Sequence, residues 1–97
     1  MALIWSPSAL DDVEALVRFL DNATGDATVG NRAARLILEA ADRLLEQPTI
    51  GKPARDDMRE WLAVFGAGAY VLRYRITPAE DILVIRVWHS REDRRSW

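Results

Sequence analysis

The only histidine of this 97-residue sequence stands directly after an apolar run that contains an arginine. His89 follows residues 84–88, and Arg86 lies in the middle of that run. Histidine exchanges protons near neutral pH, so His89 could act as a general acid or base. It could equally end a strand and hydrogen bond to the backbone. The segment that follows, residues 90–95, alternates in charge and is typical of a solvated tail.

The composition and spacing exclude several other kinds of site. Without cysteine, the chain forms neither disulfides nor thiolate metal sites. One histidine cannot make a cluster of imidazole ligands, and no His, Asp and Glu residues have the spacing of metal ligands. Ser90 and Asp93 are too close to His89 in sequence for a hydrolase triad, and the segment 51–53 lacks the spacing of a phosphate-binding loop. We expect neither a metal nor a cofactor.

Charge is unevenly distributed along the chain. The net charge is −2 and the pI is about 5.3, but residues 1–51 hold four arginines against eight acidic residues, whereas residues 52–97 hold nine basic against seven acidic. An acidic pI argues against a broad nucleic-acid surface and leaves room for a local basic patch. All basic residues except Lys52 are arginine, which favours planar, bidentate contacts with anions.

The first half of the sequence predicts a short strand and two helices. Residues 3–5 are apolar, and Ser6 followed by Pro7 is a typical helix start. Apolar residues spaced by 3.6 predict amphipathic helices over about 7–22 and 28–46. A polar link joins them, so we expect an antiparallel helical hairpin.

The second half changes to a period of 2 and predicts strands over about 58–65, 69–76 and 82–88, after a loop at 48–57. Short connections between these strands favour an antiparallel meander. The predicted fold is therefore α+β in the order β-α-α-β-β-β, with the helical hairpin on one face of a mainly antiparallel sheet. We expect residues 1–97 to form one domain.

Strand alternation predicts where the arginines lie. Arg73 and Arg75 share a face with Val71, and Arg86 shares a face with Val84 and Trp88. The fully apolar set of the middle strand should lie under the helices, and it consists of Tyr70, Leu72, Tyr74 and Ile76. Because an unpaired buried guanidinium is unfavourable, we expect the arginines on the face away from the helices, where a surface of one sign would suit an anionic partner. Arg59 could join them. The alternative is an ordinary solvated face, in which the arginines pair with Glu60, Glu80, Asp81 or the C-terminal acids.

Three segments resemble the RelE/ParE superfamily of type II toxins. They are a P-x-x-G-x-P loop at Pro48, Gly51 and Pro53, the run REWLAVFGAGAYVLRYRI that begins at Arg59, and the run ILVIRVWHSREDR that begins at Ile82. The resemblance covers nearly the whole chain. It implies a toxin that a cognate antitoxin neutralises, with an antitoxin segment that folds on binding and a hetero-oligomeric complex.

The superfamily has two branches with different targets. RelE-like members are ribosome-dependent mRNA endonucleases, and ParE-like members poison DNA gyrase without an established set of catalytic residues. The resemblance favours the ParE-like branch, because residues 64–66 carry no basic group and the C-terminal aromatic residue is Trp97, whose indole cannot act as an acid or base. We therefore lean away from an enzyme. If the chain is a nuclease, the resemblance implies a catalytic set of Arg86, His89, Arg91 and Lys52, with Arg55 beside Lys52.

The surface that binds the antitoxin or the target is predicted to contain Arg59, Arg73, Arg75, Arg86, His89, Arg91 and Trp97. A third alternative is an inactive toxin that acts only in an antitoxin-bound autoregulatory complex. No apolar run reaches the roughly 20 residues of a membrane span, and the N-terminus lacks a secretory pattern, so we expect a cytoplasmic protein without membrane contact.

Overall fold

A computed structural model describes residues 1–92. It confirms the predicted order and adds one short strand, and the elements are β1 (Leu3–Trp5), α1 (Pro7–Thr24), α2 (Ala27–Glu46), β2 (Lys52–Pro53), β3 (Met58–Phe65), β4 (Gly68–Ile76) and β5 (Ile82–His89). No helix in this part of the chain is long and apolar enough to span a membrane.

The two helices begin and end at residues that satisfy free backbone groups. The Ser6 hydroxyl accepts a hydrogen bond from the Ala9 amide at 3.0 Å, and the Asp26 carboxylate accepts one from the Thr28 amide at 2.9 Å. Gly25 ends α1 in the left-handed conformation, with φ of 66°. This glycine, rather than the polar residues before it, sets the end of α1 two residues later than predicted.

The five strands form one mixed sheet in the order β1-β5-β4-β3-β2. β1 runs parallel to β5, which the chain reaches only after the helical hairpin and strands β2 to β4, and the other pairs are antiparallel. The interpretation of 48–57 as loop alone was wrong at Lys52 and Pro53, which pair with Glu60 and Arg59. Two residues are too few for alternation to show in the sequence.

Both helices pack on one face of the sheet and enclose the core. Ile37 and Leu44 of α2 are fully buried with Leu72, Tyr74 and Val84 of the central strands. α1 and α2 cross closely at Gly30, where a Cβ atom would lie 3.0 Å from Val17 Cγ1. The prediction that Leu72 and Tyr74 face the helices is confirmed.

A β-bulge in β5 changes the predicted faces of that strand. Arg73 pairs with Arg86, but the next residue, Tyr74, pairs with Val84, so Ile85 has no opposite residue. Val84 and Val87 consequently both lie in the core, although regular alternation assigned them to opposite faces. The strict alternation predicted for this strand was therefore wrong.

Candidate functional site

Arg86 is tied to the helical layer by Asp12. Its Nε donates to Asp12 Oδ2 at 2.9 Å and its Nη2 donates to Oδ1 at 3.1 Å, which makes a bidentate ion pair. Asp12 Oδ2 also accepts the backbone N–H of Val87 at 2.9 Å. β1 pairs only with residues 82–84 of β5. Beyond them, Asp12 of α1 provides the hydrogen-bond acceptor at the same edge of β5.

Arg73 also has a carboxylate partner within the chain. Its Nη2 and Nε donate to Glu60 Oε2 at 2.8 and 3.1 Å, and its guanidinium lies 4.9 Å from the ring centroid of Trp88. Glu60 is directly opposite Arg73 on the neighbouring strand. The expectation of a face of one sign was therefore wrong for Arg73 and Arg86, and the alternative pairing with Glu60 is confirmed for Arg73.

Arg59 and Arg75 contact the loop between α2 and β3. Arg59 Nη1 donates to the carbonyl oxygens of Gly51 at 2.9 Å and Thr49 at 3.2 Å, and Arg75 Nη2 donates to that of Asp56 at 3.3 Å. Tyr74 also contacts this loop, through two hydrogen bonds to its backbone. Its buried hydroxyl donates to Pro48 O at 2.7 Å and accepts the Gly51 N–H at 3.0 Å. Burial raises the Tyr74 pKa, against the lowering effects of that N–H and of the Arg59 charge.

Of the residues proposed for a nuclease, His89 and Arg91 lie together, whereas Lys52 and Arg55 lie apart from them. Lys52 lies on β2, at the opposite side of the sheet from β5, which carries Arg86 and His89. Three strand spacings separate β2 from β5, which is about 14 Å. Arg55 is exposed in the turn between β2 and β3. The basic groups of the loop therefore cannot act on the same bond as His89 in this conformation.

His89 makes hydrogen bonds that close the end of β5. Its Nδ1 accepts the Arg91 N–H at 3.2 Å, and its own N–H donates to Glu92 Oε1 at 3.0 Å. This acceptor role assigns the ring proton of neutral His89 to Nε2. The ring packs on Gly68, where a Cβ atom would lie 2.7 Å from Nε2, and edge-on to Tyr70 with centroids 5.4 Å apart. These contacts are those of a residue that ends a strand.

An apolar groove of about 660 Å³ opens beside His89, between α1 and the end of the sheet. Phe65 and Tyr70 form its floor, with ring centroids 5.8 Å apart, and the Arg32 guanidinium lies 6.0 Å from the Phe65 centroid. We call it the α1–β5 groove, and it is lined by Asp12, Ala15, Leu16, Phe19, Leu20, Phe65, Tyr70, His89, Arg91 and Glu92.

Phe19 gives the α1–β5 groove its apolar rim. Its side chain is 67% exposed, an unusual state for a phenylalanine on a folded domain. Burial raises the pKa of Tyr70 on the floor of the groove, and the charge of Glu92 raises it further. Phe19 lies off the apolar stripe of α1, and that departure is the signal in the sequence for an apolar surface on this side of the hairpin.

Two further points concern Trp97 and metal binding. Trp97, proposed as a binding residue, lies outside the described residues. Within residues 1–92, no three acidic, histidine or cysteine side chains are grouped so that they could hold a metal ion.

Comparison with known proteins decides the family. The family described as ParE toxin of type II toxin-antitoxin system, parDE, matches residues 3–94. This chain belongs to the ParE toxin family. It is thus the toxin component of a type II toxin–antitoxin system, within the RelE/ParE superfamily, and the partner of such a toxin is an antitoxin.

Relatives of this ParE-family toxin carry both names of the superfamily. It is 38% identical over 88 residues to toxin RelE3 of Caulobacter vibrioides, covering 91% of this chain and 92% of the relative. It is 39% identical over 59 residues to toxin ParE1 of Mycobacterium tuberculosis, covering 61% and 59%.

A solved structure shares the fold. A chain of the chromosomal ParDE TA system from P. aeruginosa superposes with a TM-score of 0.73 at 19% identity, covering 90% of this chain and 92% of that one. The predicted α+β architecture, with a helical hairpin on a mainly antiparallel sheet, is confirmed.

Proposed function

We propose that this ParE-family toxin inhibits DNA gyrase by binding to it, without cleaving nucleic acid, and acts in the cytoplasm. The observation that carries the proposal is the placement of the residues a nuclease would use. Arg86 is neutralised by Asp12, His89 Nδ1 is occupied by the Arg91 amide, and Lys52 lies on the far side of the sheet. Phosphodiester cleavage needs a proton-transfer group and cations at one point.

The alternative is a RelE-like, ribosome-dependent mRNA endonuclease. The name of the relative RelE3 favours it, since that protein aligns over most of this chain. A third possibility is an inactive toxin that persists in an autoregulatory complex with its antitoxin. Growth on induction separates this third case from the other two, because only an active toxin arrests the cells.

We expect His89→Asn to leave toxicity unchanged. The asparagine side-chain oxygen can accept the Arg91 N–H in place of Nδ1, so the strand end is preserved while the titrating group is removed. Induced cells should filament and show a DNA-damage response with intact transcripts, and the purified chain should inhibit supercoiling by gyrase.

The nuclease alternative predicts a different result for the same pair of proteins. Cells that express the wild-type chain would contain transcripts cut at ribosome-bound positions, and His89→Asn would abolish the cuts. That outcome would refute gyrase binding as the mode of action. Circular dichroism of His89→Asn ensures that any loss of toxicity is not loss of folding.

We further propose that the antitoxin segment places an apolar anchor in the α1–β5 groove. The groove offers an exposed aromatic rim at Phe19, and Arg32 and Arg91 are positioned to attract acids next to the anchor. The predicted role of Arg73 and Arg86 in antitoxin binding requires that antitoxin acids displace Glu60 and Asp12. The groove offers apolar contact without such an exchange.

Phe19→Ala should weaken antitoxin binding by at least about tenfold, because a buried aromatic anchor commonly contributes more than 1.4 kcal/mol. Leu10→Ala is the matched control, since Leu10 is on the same helix, is 52% exposed and does not line the groove. Calorimetric titration of both variants with the antitoxin measures the difference. Equal affinities for the two variants would place the antitoxin elsewhere.

A further inference from the structure

The outer edge of β3 is only partly covered. β2 pairs with Arg59 and Glu60 and then ends, whereas β3 continues to Phe65. Of the residues that the structure describes, none forms a strand beside the remaining part, residues 61–65. We call this part the free β3 edge.

The backbone of the free β3 edge presents hydrogen-bonding groups outward. Met58 O accepts the Ala54 N–H at 2.8 Å, so the amide groups of Met58 face β2. Backbone groups alternate in direction along a strand, and the β3–β4 pairing is regular throughout. The N–H and C=O groups of Leu62 and Val64 therefore point away from β4, toward a neighbouring strand.

The side chains at this edge lack the usual protection against strand pairing. Leu62 is 52% exposed and Val64 is 68% exposed, both on the sheet face opposite the helices. The run from Trp61 to Phe65 contains no charged residue, no proline and no bulge. Charges, prolines and bulges are the features that normally prevent edge strands from pairing with another chain.

We propose that two copies of this chain pair through the free β3 edges, antiparallel and with Ala63 on the two-fold axis. Leu62 of each copy then exchanges backbone hydrogen bonds with Val64 of the other, and Trp61 lies opposite Phe65 as an aromatic cross-strand pair. The edge is self-complementary in this register, and self-complementarity is what a two-fold interface requires. We therefore assign a second copy of this chain as the strand that pairs with the free β3 edge.

The end of β2 selects this register over its neighbours. With Ala63 on the axis, residues 61–65 of the two copies pair throughout, and Glu60, whose outer edge is covered by Lys52 of β2, lies outside the pairing. With Leu62 on the axis, Val64 of the other copy would come opposite Glu60, where Lys52 already pairs. With Val64 on the axis, Leu62 would lose its apolar partner to Gly66. The proposal is independent of the gyrase and antitoxin proposals.

The test is sedimentation velocity of the full-length chain over a range of micromolar concentrations. The wild-type chain should show a monomer–dimer equilibrium. Leu62→Glu or Val64→Lys alone should raise the dimer dissociation constant by about tenfold or more, because each variant replaces two apolar cross-strand pairs with unpaired charges. Both side chains are exposed, so the fold should be retained, and thermal unfolding verifies it.

A charge-swap pair of double variants tests the register itself. In Leu62→Glu/Val64→Lys, each new carboxylate faces the new ammonium group of the other copy, so dimerisation should recover. In Leu62→Lys/Val64→Lys, like charges face each other and dimerisation should remain weak. A monomeric wild-type chain, or equal behaviour of the two double variants, would overturn the proposal. If only antitoxin binding responds to these changes, the edge receives a strand of that partner and self-pairing is wrong.

Discussion

Replacement of Asp12 by alanine should lower the free energy of unfolding by about 3 kcal/mol, more than any other single change proposed for this chain. The Asp12 side chain is 13% exposed and that of Arg86 is 30% exposed, so the pair is largely removed from water. Without Asp12, the Arg86 guanidinium and the Val87 N–H both lose a charged acceptor. Partial access of water to Arg86 keeps the loss at the lower end of the range for buried pairs.

Asp11→Ala is the matched control for this prediction. Asp11 is the preceding residue of α1, carries the same charge and is exposed, so its replacement should change stability by about 0.5 kcal/mol or less. Asp12→Asn should give an intermediate loss, because an amide oxygen still accepts the Val87 N–H while the ion pair is gone. Urea denaturation followed by tryptophan fluorescence measures all three variants.

A double variant separates the ion pair from the strand contact. In Asp12→Ala/Arg86→Met, no guanidinium is left without its carboxylate, so the loss should be smaller than that of Asp12→Ala alone. If Asp12→Ala and Asp11→Ala proved equally stable, the link between α1 and β5 would not contribute as the geometry indicates.

Tyr74→Phe should destabilise the chain by about 2 kcal/mol, although it removes a single oxygen atom. The hydroxyl satisfies Pro48 O and the Gly51 N–H, and phenylalanine would leave both of these backbone groups without that partner at a buried position. Gly51 is itself required for this contact, because a Cβ atom there would lie 2.6 Å from the Tyr74 hydroxyl oxygen. The glycine of the P-x-x-G-x-P loop therefore has a packing role.

Tyr70→Phe is the control that isolates the hydrogen bonds. Tyr70 is also buried, but its hydroxyl makes no hydrogen bond to another residue of the described range 1–92, so its removal should be nearly neutral. Thermal unfolding of the two variants gives the comparison, and amide exchange at Gly51 should accelerate only in Tyr74→Phe. Equal stability of the two phenylalanine variants would show that the loop is held by Arg59 and packing alone.

The arginines of the sheet all have partners within the chain, which bears on their predicted role in binding. Their number and spacing suggested a surface for an acidic partner. The structure instead gives Arg73 and Arg86 carboxylates of the same chain, and gives Arg59 and Arg75 carbonyl oxygens of the loop. An anionic partner must compete with these contacts, which favours apolar contact in the α1–β5 groove as the main source of affinity.

The sequence by itself determined the elements and their order, apart from the two-residue strand β2. The helix start at Ser6 and the change from a period of 3.6 to a period of 2 are local signals, because each depends on residues a few positions apart. The same signals placed Leu72 and Tyr74 in the core. The family resemblance rested on segments of this kind, and the comparison confirmed it.

The meander of β3, β4 and β5 followed from their short connections, but only the tertiary structure decided where β1 and β2 pair and where alternation is reset. Asp12 and Arg86 are 74 residues apart, and nothing in either local sequence specifies the other as partner. The bulge at Ile85 reversed the face of the residues after it, and the parallel pairing of β1 with β5 left room for α1 at the strand edge. Hydrophobic periodicity indicates which side of a helix or strand faces the core. The contacts between elements depend on how separate surfaces fit together, and these contacts formed both the groove and the ion pairs.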